Sequence, residues 1–462
     1  MHANDTIAAI STAIGDAAIA IIRLSGPDAF SVSSRIFAGG KPGAFQKMAS
    51  HTVMHGYVAD PAEGRRIDEV LLLKMASPRT YTREDVVEIH CHGGTVVAGE
   101  ILRVVFACGV RPAEPGEFTR RAFLNGRIDL VKAEAVMDLI RSHTAQGARA
   151  AMEQLDGRLS EQIARMRESL LMLIGQMEVN LDYPEHDTEE VTLTMAGTVL
   201  TEVLTDMRAL LDSFGQGRIL REGLNLVLAG RPNAGKSSLM NRLAGHERSI
   251  VTEVPGTTRD VVESFVNLRG LPVRLLDTAG LRETFDRVES LGVARTLDAM
   301  ERAELIVAVF DGSDRPGHED EQLVKRLKES GSRVLYVMNK TDAMLPEAEA
   351  ALRELLPDAP VAVSALTGTG MEELTLRIAE VASGNRMGSD NALLLTNARH
   401  RQLLETAKAR LSEASEACST GVTHDVLAFL LREAWETLGG IIGEGATEDL
   451  LNSIFSRFCL GK

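Results

Sequence analysis

The sequence has few cysteines and no long hydrophobic segment, and both absences restrict its class. Its four cysteines, Cys91, Cys108, Cys418 and Cys459, lie far apart, which argues against a disulfide framework or a cysteine-rich zinc site and favours a reducing compartment. No apolar run approaches the ~20 residues that a membrane span needs. The segment MHANDTIAAI lacks the basic residues of an export signal. We therefore expect a cytoplasmic protein.

Positive charge is also scarce. The chain has 50 Lys and Arg against 65 Asp and Glu, so its formal net charge is −15. Because such a field repels phosphate, the composition excludes a general nucleic-acid coat, and an RNA partner would need a local basic patch. Hydrophobic residues make up 44% and charged residues 25%, which is a globular balance. The 462 residues predict about three domains of ~150 residues each.

The strongest motif is a phosphate-binding loop. The β-type run Leu224 to Ala229 leads into Gly230 to Ser237, GRPNAGKS, and a helix-like pattern follows from Leu239. This order of strand, loop and helix is that of a P-loop, whose glycines let backbone N–H groups surround a β-phosphate. Lys236 brings a positive charge to the β and γ oxygens, and the Ser237 hydroxyl suits Mg²⁺.

Four further segments follow in the order and spacing of a GTPase. Asp277 to Gly280 ends a strand-like run as a switch II segment does, and Gly256 to Asp260 lies between it and the P-loop. Asn339 to Asp342 follows another strand-like run, and Asp342 can accept hydrogen bonds from N1–H and the 2-amino group of guanine, which adenine does not offer. Ser364 to Leu366 completes the base pocket. The base is therefore expected to be guanine.

These motifs together define the expected GTP contacts. The predicted GTP-binding residues are Asn233, Ala234, Gly235, Lys236, Ser237, Ser238, Thr252, Glu253, Val254, Pro255, Gly256, Thr257, Thr258, Asp277, Thr278, Ala279, Gly280, Asn339, Lys340, Asp342, Ser364 and Ala365. Ser237 and Thr258 are the predicted hydroxyl ligands of Mg²⁺.

The order of patterns predicts a multidomain protein. Residues 1–127 mix strands and helices, which indicates an α+β domain, and residues 223–385 form the α/β Ras-like P-loop G domain. Long amphipathic helices are predicted over 128–222 and 386–462. One helical bundle with the G domain inserted between its halves buries more apolar surface than two separate blocks, so we predict a single discontinuous helical domain. Short connections at both junctions would let the G domain rotate as a body.

Periodicity and turn residues predict the element bounds. The expected strands are Thr6 to Ser11, Ala18 to Leu24, Thr52 to Val58, Glu69 to Met75 and Val86 to Cys91. The expected helices include Ala29 to Phe37, Thr95 to Cys108, an apolar stripe from Leu155 to Met177, and Met195 to Phe214. Pro184 and the acidic residues after it predict a surface loop. Gly215 to Gly223 is expected to be a link to the P-loop strand, and Ser383 to Asp390 a second linker.

With these motifs in place, the chain resembles the MnmE/TrmE family of tRNA-modification GTPases over essentially its whole length. The matching stretches are GRPNAGKSS, VPGTTRD, DTAGLRE, YTREDVVEIHCHGG, EPGEFTRRAFLNGRIDL and ATEDLLNSIFSRFCLGK. The last is the most specific, because many GTPases share a P-loop but very few chains join CLGK to this N-terminal domain.

The resemblance implies a reaction and its partners. It implies a homodimer formed through the N-terminal domain, which binds 5-formyl- or methylene-tetrahydrofolate. It also implies an FAD-dependent MnmG-type partner that forms a heterotetramer with this chain. Together the two proteins would add an aminomethyl or carboxymethylaminomethyl group to C5 of wobble uridine 34 in certain tRNAs. The family's folate contacts fall on Arg23, Glu88, Arg127 and Lys462, and position 127 is Arg where some members have Lys. Arg and Lys suit folate carboxylates, and Glu88 suits the donors of a pterin.

The resemblance to GTPases also predicts potassium activation. The side-chain carbonyl of Asn233, the backbone oxygens of Thr252 and Val254, and Thr257 are expected to bind K⁺ beside the phosphates. A cation there would supply the positive charge that an arginine finger supplies elsewhere.

Water activation needs a residue other than the usual glutamine. Leu281 follows the switch II segment where Ras-like enzymes place that glutamine, and leucine has no group to orient water. The family pattern puts its catalytic glutamate in the Val-Glu pair, here Val288-Glu289, so Glu289 is the expected catalytic residue. Glu283 and Asp286 are the other carboxylates of this segment.

Several motifs have two interpretations. His90-Cys91-His92 resembles a set of metal ligands, but strand alternation points Cys91 away from both histidines. Cys459 is a candidate nucleophile whose pKa Lys462 could lower, and packing is the other interpretation. Gly440 to Gly443 has the spacing of an RNA-clamping GXXG loop, although its apolar middle favours a helix junction.

Two other classes of GTPase are alternatives. A regulatory ribosome-assembly GTPase without modification activity would carry a basic RNA-binding module, and this acidic chain shows none. A membrane-remodelling GTPase would need a basic amphipathic segment, and none is found in the sequence.

Overall fold

The structure is a computed structural model, and it describes most of the chain. The described residues are 5–39, 41, 43–182, 189–246, 264–276, 300–383, 393–420 and 423–462. The chain divides into two compact units. The first contains residues up to 137 together with 439–462, and the second contains residues 138–438.

The first unit is built on a seven-stranded sheet. Its strands are β1 Ile7–Ile10, β2 Ile19–Ser25, β3 Phe37–Ala38, β4 Thr52–Ala59, β5 Arg66–Met75, β6 Val86–His92 and β7 Arg111–Pro112. Their order is β3-β4-β5-β6-β2-β1-β7, and every pair is antiparallel except β1 with β7. The predicted strands are therefore present, with bounds that differ by one to three residues.

Alternation along β2 decides which side chains reach the core. Ile22 and Leu24 are fully buried, while Arg23 between them lies on the opposite face of the sheet. The register of β2 with β6 places Arg23 opposite Glu88. The same alternation buries Cys91 and leaves its two histidine neighbours more exposed. Cys91 thus points away from both histidines, as the sequence predicts.

Helices cover one face of this sheet. They are α1 Ala29–Ile36, α2 Ala44–Lys47 and α3 Thr95–Ala107. Ile36 of α1 and Ile101 of α3 are buried in the same cluster as Ile22 and Ile89 of the sheet. At ~1.5–3 kcal/mol for each fully buried large aliphatic side chain, this contact is the main stabilisation of the layer pair.

Three short helices join the C-terminal segment to the N-terminal part of the chain within the first unit. They are α4 Glu117–Leu124, α5 Leu130–Ile140 and, as α15 in chain order, Glu448–Phe455. Leu130 and Ala133 share one buried cluster with Leu451, Phe455 and Phe458. Residues more than 300 positions apart in the sequence therefore stabilise each other.

Long helices form one part of the second unit. They are α6 Ala145–Leu155, α7 Arg158–Asp182, α8 Glu189–Glu222, α13 Ala398–Thr420 and α14 His424–Ile442. The predicted apolar stripe is buried from Leu159 to Met177, and these residues all lie on α7. Leu155, the predicted first residue of the stripe, ends α6, because Gly157 with φ +100° separates the two helices. Helix α8 packs against both α7 and α13. The two helical blocks thus form one bundle, as predicted.

The predicted link over Gly215 to Gly223 is wrong, because α8 continues to Glu222. A Cβ on Gly217 would lie 2.3 Å from the Leu395 carbonyl oxygen, so this glycine allows the backbone at Leu395 to approach the helix. Ile219 and Leu220 are buried in the core of the adjoining sheet. Tertiary packing here outweighs the low helix propensity of glycine.

A six-stranded sheet forms the other part of the second unit. Its strands are β8 Leu224–Ala229, β9 Ser264–Leu268, β10 Leu271–Leu276, β11 Leu305–Asp311, β12 Arg333–Asn339 and β13 Val361–Ala362. The order is β13-β12-β11-β8-β10-β9, and only β9 is antiparallel to its neighbour. The helices around it are α9 Lys236–His246, α10 His318–Glu329, α11 Pro346–Leu355 and α12 Met371–Ser383.

Both faces of this sheet are covered. Leu226 and Val307 belong to one buried cluster, and Val227 and Ile306 belong to another. All seven residues of β11 are buried, which is typical of a central parallel strand with helices on both sides. In such sheets ligands bind at the carboxyl ends of the strands, where the predicted GTP motifs lie.

Three remaining predictions concern the GXXG segment, two linking segments and membrane spans. Helix α14 ends at Ile442 and is followed by Gly443 with φ +95°, so Gly440 to Gly443 is a helix junction. Residues 184–188 of the predicted acidic loop and 384–390 of the second linker lie outside the described residues. Among the helices of the described ranges, none has the length and apolarity to cross a membrane.

Candidate functional site

The P-loop runs from the end of β8 to the start of α9. The ammonium of Lys236 donates hydrogen bonds to the carbonyl oxygens of Gly230, at 2.7 Å, and Arg231, at 2.8 Å. Burial holds the pKa of Lys236 below its ordinary value, because a low dielectric disfavours the charged form. A nucleotide phosphate beside this ammonium would supply a negative charge to pair with it.

Asn339 joins three of the motifs at one point. It is 1% exposed, its Nδ2 donates to the Ala234 carbonyl at 2.9 Å, and its Oδ1 accepts from the Ala365 amide at 3.0 Å. A Cβ on Gly235 would lie 2.1 Å from Asn339 Nδ2, and the φ of Gly235 is +91°, so the P-loop needs glycine here. The structure thus brings the P-loop, Asn339 to Asp342 and Ser364 to Ala365 together.

The guanine-specificity segment has its own supports. Ser364 Oγ donates to Asp342 Oδ1 at 2.5 Å, which orients the exposed carboxylate of Asp342. Lys340 has φ +64°, and its ammonium donates to Asp311 Oδ2 at 2.7 Å. Burial by itself would raise the pKa of Asp311, but hydrogen bonds from Lys340 and Ser313 outweigh it and keep the pKa below its ordinary value.

Asp311 supports the guanine-specificity segment through Lys340, and the sequence alone did not indicate this. It ends β11, a strand that is otherwise apolar, and it is itself buried. A carboxylate at the end of a fully buried parallel strand was the available signal.

Three predicted contacts lie at the mouth of the P-loop. Asn233 has φ +64°, a left-handed conformation that asparagine tolerates better than most residues. Asn233, Ser237 and Ser238 are exposed, so their polar groups are accessible to a nucleotide and its ions. The remaining predicted contacts, Thr252 to Thr258, Asp277 to Gly280 and Glu289, lie outside the described residues.

A second cluster forms in the first unit around Arg23. Its Nε donates to Glu88 Oε1 at 2.8 Å, as the β2–β6 register places the two side chains opposite each other. Glu88 Oε2 lies 3.4 Å from His90 Nε2. Both Arg23 and Glu88 are partly accessible, with side-chain exposures of 16% and 14%.

The segment Cys459 to Lys462, called the tail below, adds to this cluster. Arg23 Nη1 donates to the Gly461 carbonyl at 3.4 Å, and Ser11 Oγ donates to the same oxygen at 3.2 Å. The Phe118 amide donates to the Lys462 carbonyl at 3.2 Å. Burial first, and then the charge of Arg23, hold the pKa of Lys462 below its ordinary value.

Aromatic side chains complete the second cluster. The Arg127 guanidinium lies 4.8 Å from the centre of the Tyr81 ring, and the Arg23 guanidinium lies 5.8 Å from it. The Tyr81 hydroxyl and Thr119 Oγ1 are 2.9 Å apart, which fixes the ring. Tyr81 is another residue that sequence reasoning missed, although it opens the quoted motif YTREDVVEIHCHGG.

The structure thus brings together Arg23, Glu88 and Lys462 directly, and Arg127 through Tyr81. Cys459 is exposed, and its carbonyl accepts a hydrogen bond from the Gly116 amide at 3.4 Å. Cys91 is buried, and burial, followed by the nearby charge of Asp68, raises its pKa to about 11, so it is not a thiolate at neutral pH. In the part of the chain that the structure describes, His, Cys, Asp and Glu side chains form no group able to hold a metal ion.

Comparison with known proteins agrees with this arrangement. A family profile described as GTP-binding protein TrmE N-terminus matches residues 6–127, and one described as MnmE helical domain matches residues 130–459. The tRNA modification GTPase MnmE of Ligilactobacillus salivarius is 44% identical over 460 residues, covering 99% of this chain and 98% of that protein. The protein of the same name from Shouchella clausii is 46% identical over 459 residues, covering 99% of each.

Solved structures overlap a smaller part of the chain. The G domain of the T. maritima FeoB iron transporter has 27% sequence identity and a TM-score of 0.26, covering 34% of this chain and 98% of that one. The full-length relatives and the two family profiles establish the assignment: the chain belongs to the MnmE family of tRNA modification GTPases.

Proposed function

We propose that this GTPase modifies C5 of the wobble uridine, position 34, of certain tRNAs. It adds an aminomethyl or carboxymethylaminomethyl group, using a tetrahydrofolate one-carbon unit and an FAD-dependent MnmG-type partner. The observation that carries this proposal is the meeting of Arg23, Glu88 and Lys462, which lie in distant parts of the sequence.

The chemistry of this cluster fits a reduced folate. When bound, a 5-formyl- or methylene-tetrahydrofolate supplies the one-carbon unit. Glu88 can accept hydrogen bonds from a pterin, and its contacts with Arg23 and His90 hold the carboxylate in one orientation. The cations at Arg127 and Lys462 would attract the carboxylates of a folate. Burial and Arg23 disfavour the charged form of Lys462, so a carboxylate beside it would be stabilising.

GTP hydrolysis is assigned to the second unit. The oriented carboxylate of Asp342 would select guanine, and Lys236 with the P-loop amides would hold the phosphates. We assign Mg²⁺ to Ser237 and Thr258, because a P-loop serine and a switch hydroxyl suit that ion. K⁺ is assigned to Asn233 with Thr252, Val254 and Thr257.

The proposed assembly follows the domain boundaries of the sequence. We propose a dimerising, folate-binding domain over 1–127, a helical domain over 128–222 and 386–462, and a G domain over 223–385. The profile that ends at residue 127 supports the first boundary. The chain would act as a homodimer with its FAD-dependent partner on tRNA. We place the reaction in the cytoplasm, which suits the four free cysteines.

Deletion of the tail tests the folate site. Without Cys459 to Lys462, tRNA modification should be lost, while GTP hydrolysis should stay within about twofold of the full chain. The single change Lys462→Ala should weaken folate binding by about tenfold, as expected for the loss of one charged hydrogen bond. Calorimetry with 5-formyltetrahydrofolate, a GTPase assay and mass spectrometry of tRNA nucleosides measure folate binding, hydrolysis and modification.

Leu460→Ala is the matched control in the tail. Its side chain is 53% exposed, so this change should leave folate binding and modification as they are. Equal loss of modification and GTP hydrolysis after the deletion would mark the tail as structural and would contradict the folate assignment.

Replacing K⁺ by Na⁺ tests the proposed monovalent cation. Hydrolysis by the unchanged protein should slow strongly in Na⁺, because the smaller ion fits the ligand oxygens less well. Asn233→Ala should hydrolyse GTP slowly in both salts, because it lacks one ligand. Pro232→Ala, a change at an exposed neighbour in the same loop, should keep the preference for K⁺. Equal rates in the two salts for the unchanged protein would refute the assignment.

Glu289 is the proposed residue that orients the attacking water. Glu289→Ala should lower kcat for GTP by a factor on the order of 10², with nucleotide affinity almost unchanged, because the carboxylate acts on water and not on binding. Glu283→Ala and Asp286→Ala are the controls, since they remove the other carboxylates of the same segment. A Glu289→Ala variant that hydrolyses GTP at the native rate in K⁺ would exclude this role.

A further inference from the structure

A cationic cavity lies beside the second cluster. Its volume is about 470 Å³, and its lining includes Arg79, Arg83, Arg127, His51 and Tyr81. None of the described residues that line it is acidic. In a chain whose net charge is −15, three arginines around one concave surface create a local field that attracts anions.

The loop that presents two of these arginines is held by hydrogen bonds. Ser77 Oγ donates to the Arg83 carbonyl at 2.8 Å, and Thr80 Oγ1 donates to the Glu84 carbonyl at 2.7 Å. Arg83 has φ +61° and His51 has φ +62°, so two residues that line the cavity have a left-handed backbone that L side chains rarely adopt. Such conformations cost about 1–3 kcal/mol each and cluster at binding sites.

The arginine side chains keep donors available for a ligand. Arg79 is exposed and makes no hydrogen bond or ion pair to any residue within the described ranges. Arg83 is exposed and uses Nη1 to donate to the Asn125 carbonyl at 2.9 Å, which leaves its other N–H groups. Arg127 is exposed and lies over the Tyr81 ring. Exposed guanidinium groups with available N–H donors can bind carboxylates through two parallel hydrogen bonds.

Tyr81 lies between the cavity and the second cluster, to which we assign the folate. It lines the cavity, and its ring lies close to both Arg127 and Arg23. A ligand whose pterin meets Glu88 and which extends past Tyr81 therefore reaches the arginines. A folate extends from its pterin through glutamates joined by γ-linkages, and each added unit brings one more carboxylate.

We propose that the cavity binds the γ-linked oligoglutamate tail of the folate, so that the protein prefers polyglutamylated over monoglutamyl folate. This inference rests on the proposed folate site. The cavity volume is on the scale of a small-molecule site of ~300–1,000 Å³. An RNA backbone would instead require a stripe of basic residues along a surface, so a phosphate backbone is the less favoured occupant.

Calorimetry at low ionic strength with two ligands tests the preference. The probes are 5-formyltetrahydrofolate with one glutamate and with three. The unchanged protein should bind the triglutamate about tenfold more tightly, because two further carboxylates at a partly exposed site contribute roughly threefold each. Arg79→Ala/Arg83→Ala should lose this preference and keep its affinity for the monoglutamate. Arg79→Ala alone, at a side chain with no hydrogen bond or ion pair to the described residues, should lose part of the preference even if the double variant does not fold.

Arg35→Ala/Lys47→Ala is the charge-matched control, since both cations are exposed and lie outside the cavity. It should keep the preference. Equal binding of the two ligands by the unchanged protein would overturn the inference and leave the folate site standing. A preference that stays undiminished in Arg79→Ala, or a loss of tRNA affinity in that variant with folate binding intact, would also overturn it. If the unchanged protein binds neither ligand, the folate site and the inference are both overturned.

Discussion

The close approach of the Gly461 backbone to strand β1 is the constraint on which the second cluster, Arg23 with Glu88 and Lys462, depends. A Cβ at this position would lie 2.3 Å from the Ile10 carbonyl oxygen, and the φ of +87° is itself unfavourable for other residues. Because glycine fits there, its carbonyl reaches Arg23, and Lys462 lies beside the Arg23–Glu88 pair. The family motif CLGK thus has a physical reason for its glycine, which is the packing of the tail on the sheet.

The nucleotide site has an equivalent centre in Asn339. Its buried amide holds the Ala234 carbonyl and the Ala365 amide, and Gly235 leaves room for it. Leaving a buried amide without partners costs about 1–3 kcal/mol, so the three loops are held in one arrangement. The second unit therefore holds the motifs of a GTP site, and the first holds the cluster to which we assign the folate.

Sequence patterns predicted most of the fold because they are local. Strand alternation predicted that Cys91 points away from His90 and His92, and the strand, loop and helix order placed the P-loop. The predictions that failed concern contacts between residues that are distant in the sequence. Gly215 to Gly223 was expected to be a link, since nothing in the sequence shows that Leu395 lies against Gly217. Tyr81 and Asp311 were missed for the same reason, because their partners Arg127 and Lys340 are distant in sequence.

Mass spectrometry of tRNA nucleosides tests the central claim most directly. The comparison is between a strain that lacks this chain and the same strain supplied with it. The account predicts that C5-modified wobble uridine is lost in the first strain and restored in the second. Unchanged nucleosides in the strain without the chain, together with immature ribosomes, would contradict the account and select a ribosome-assembly GTPase.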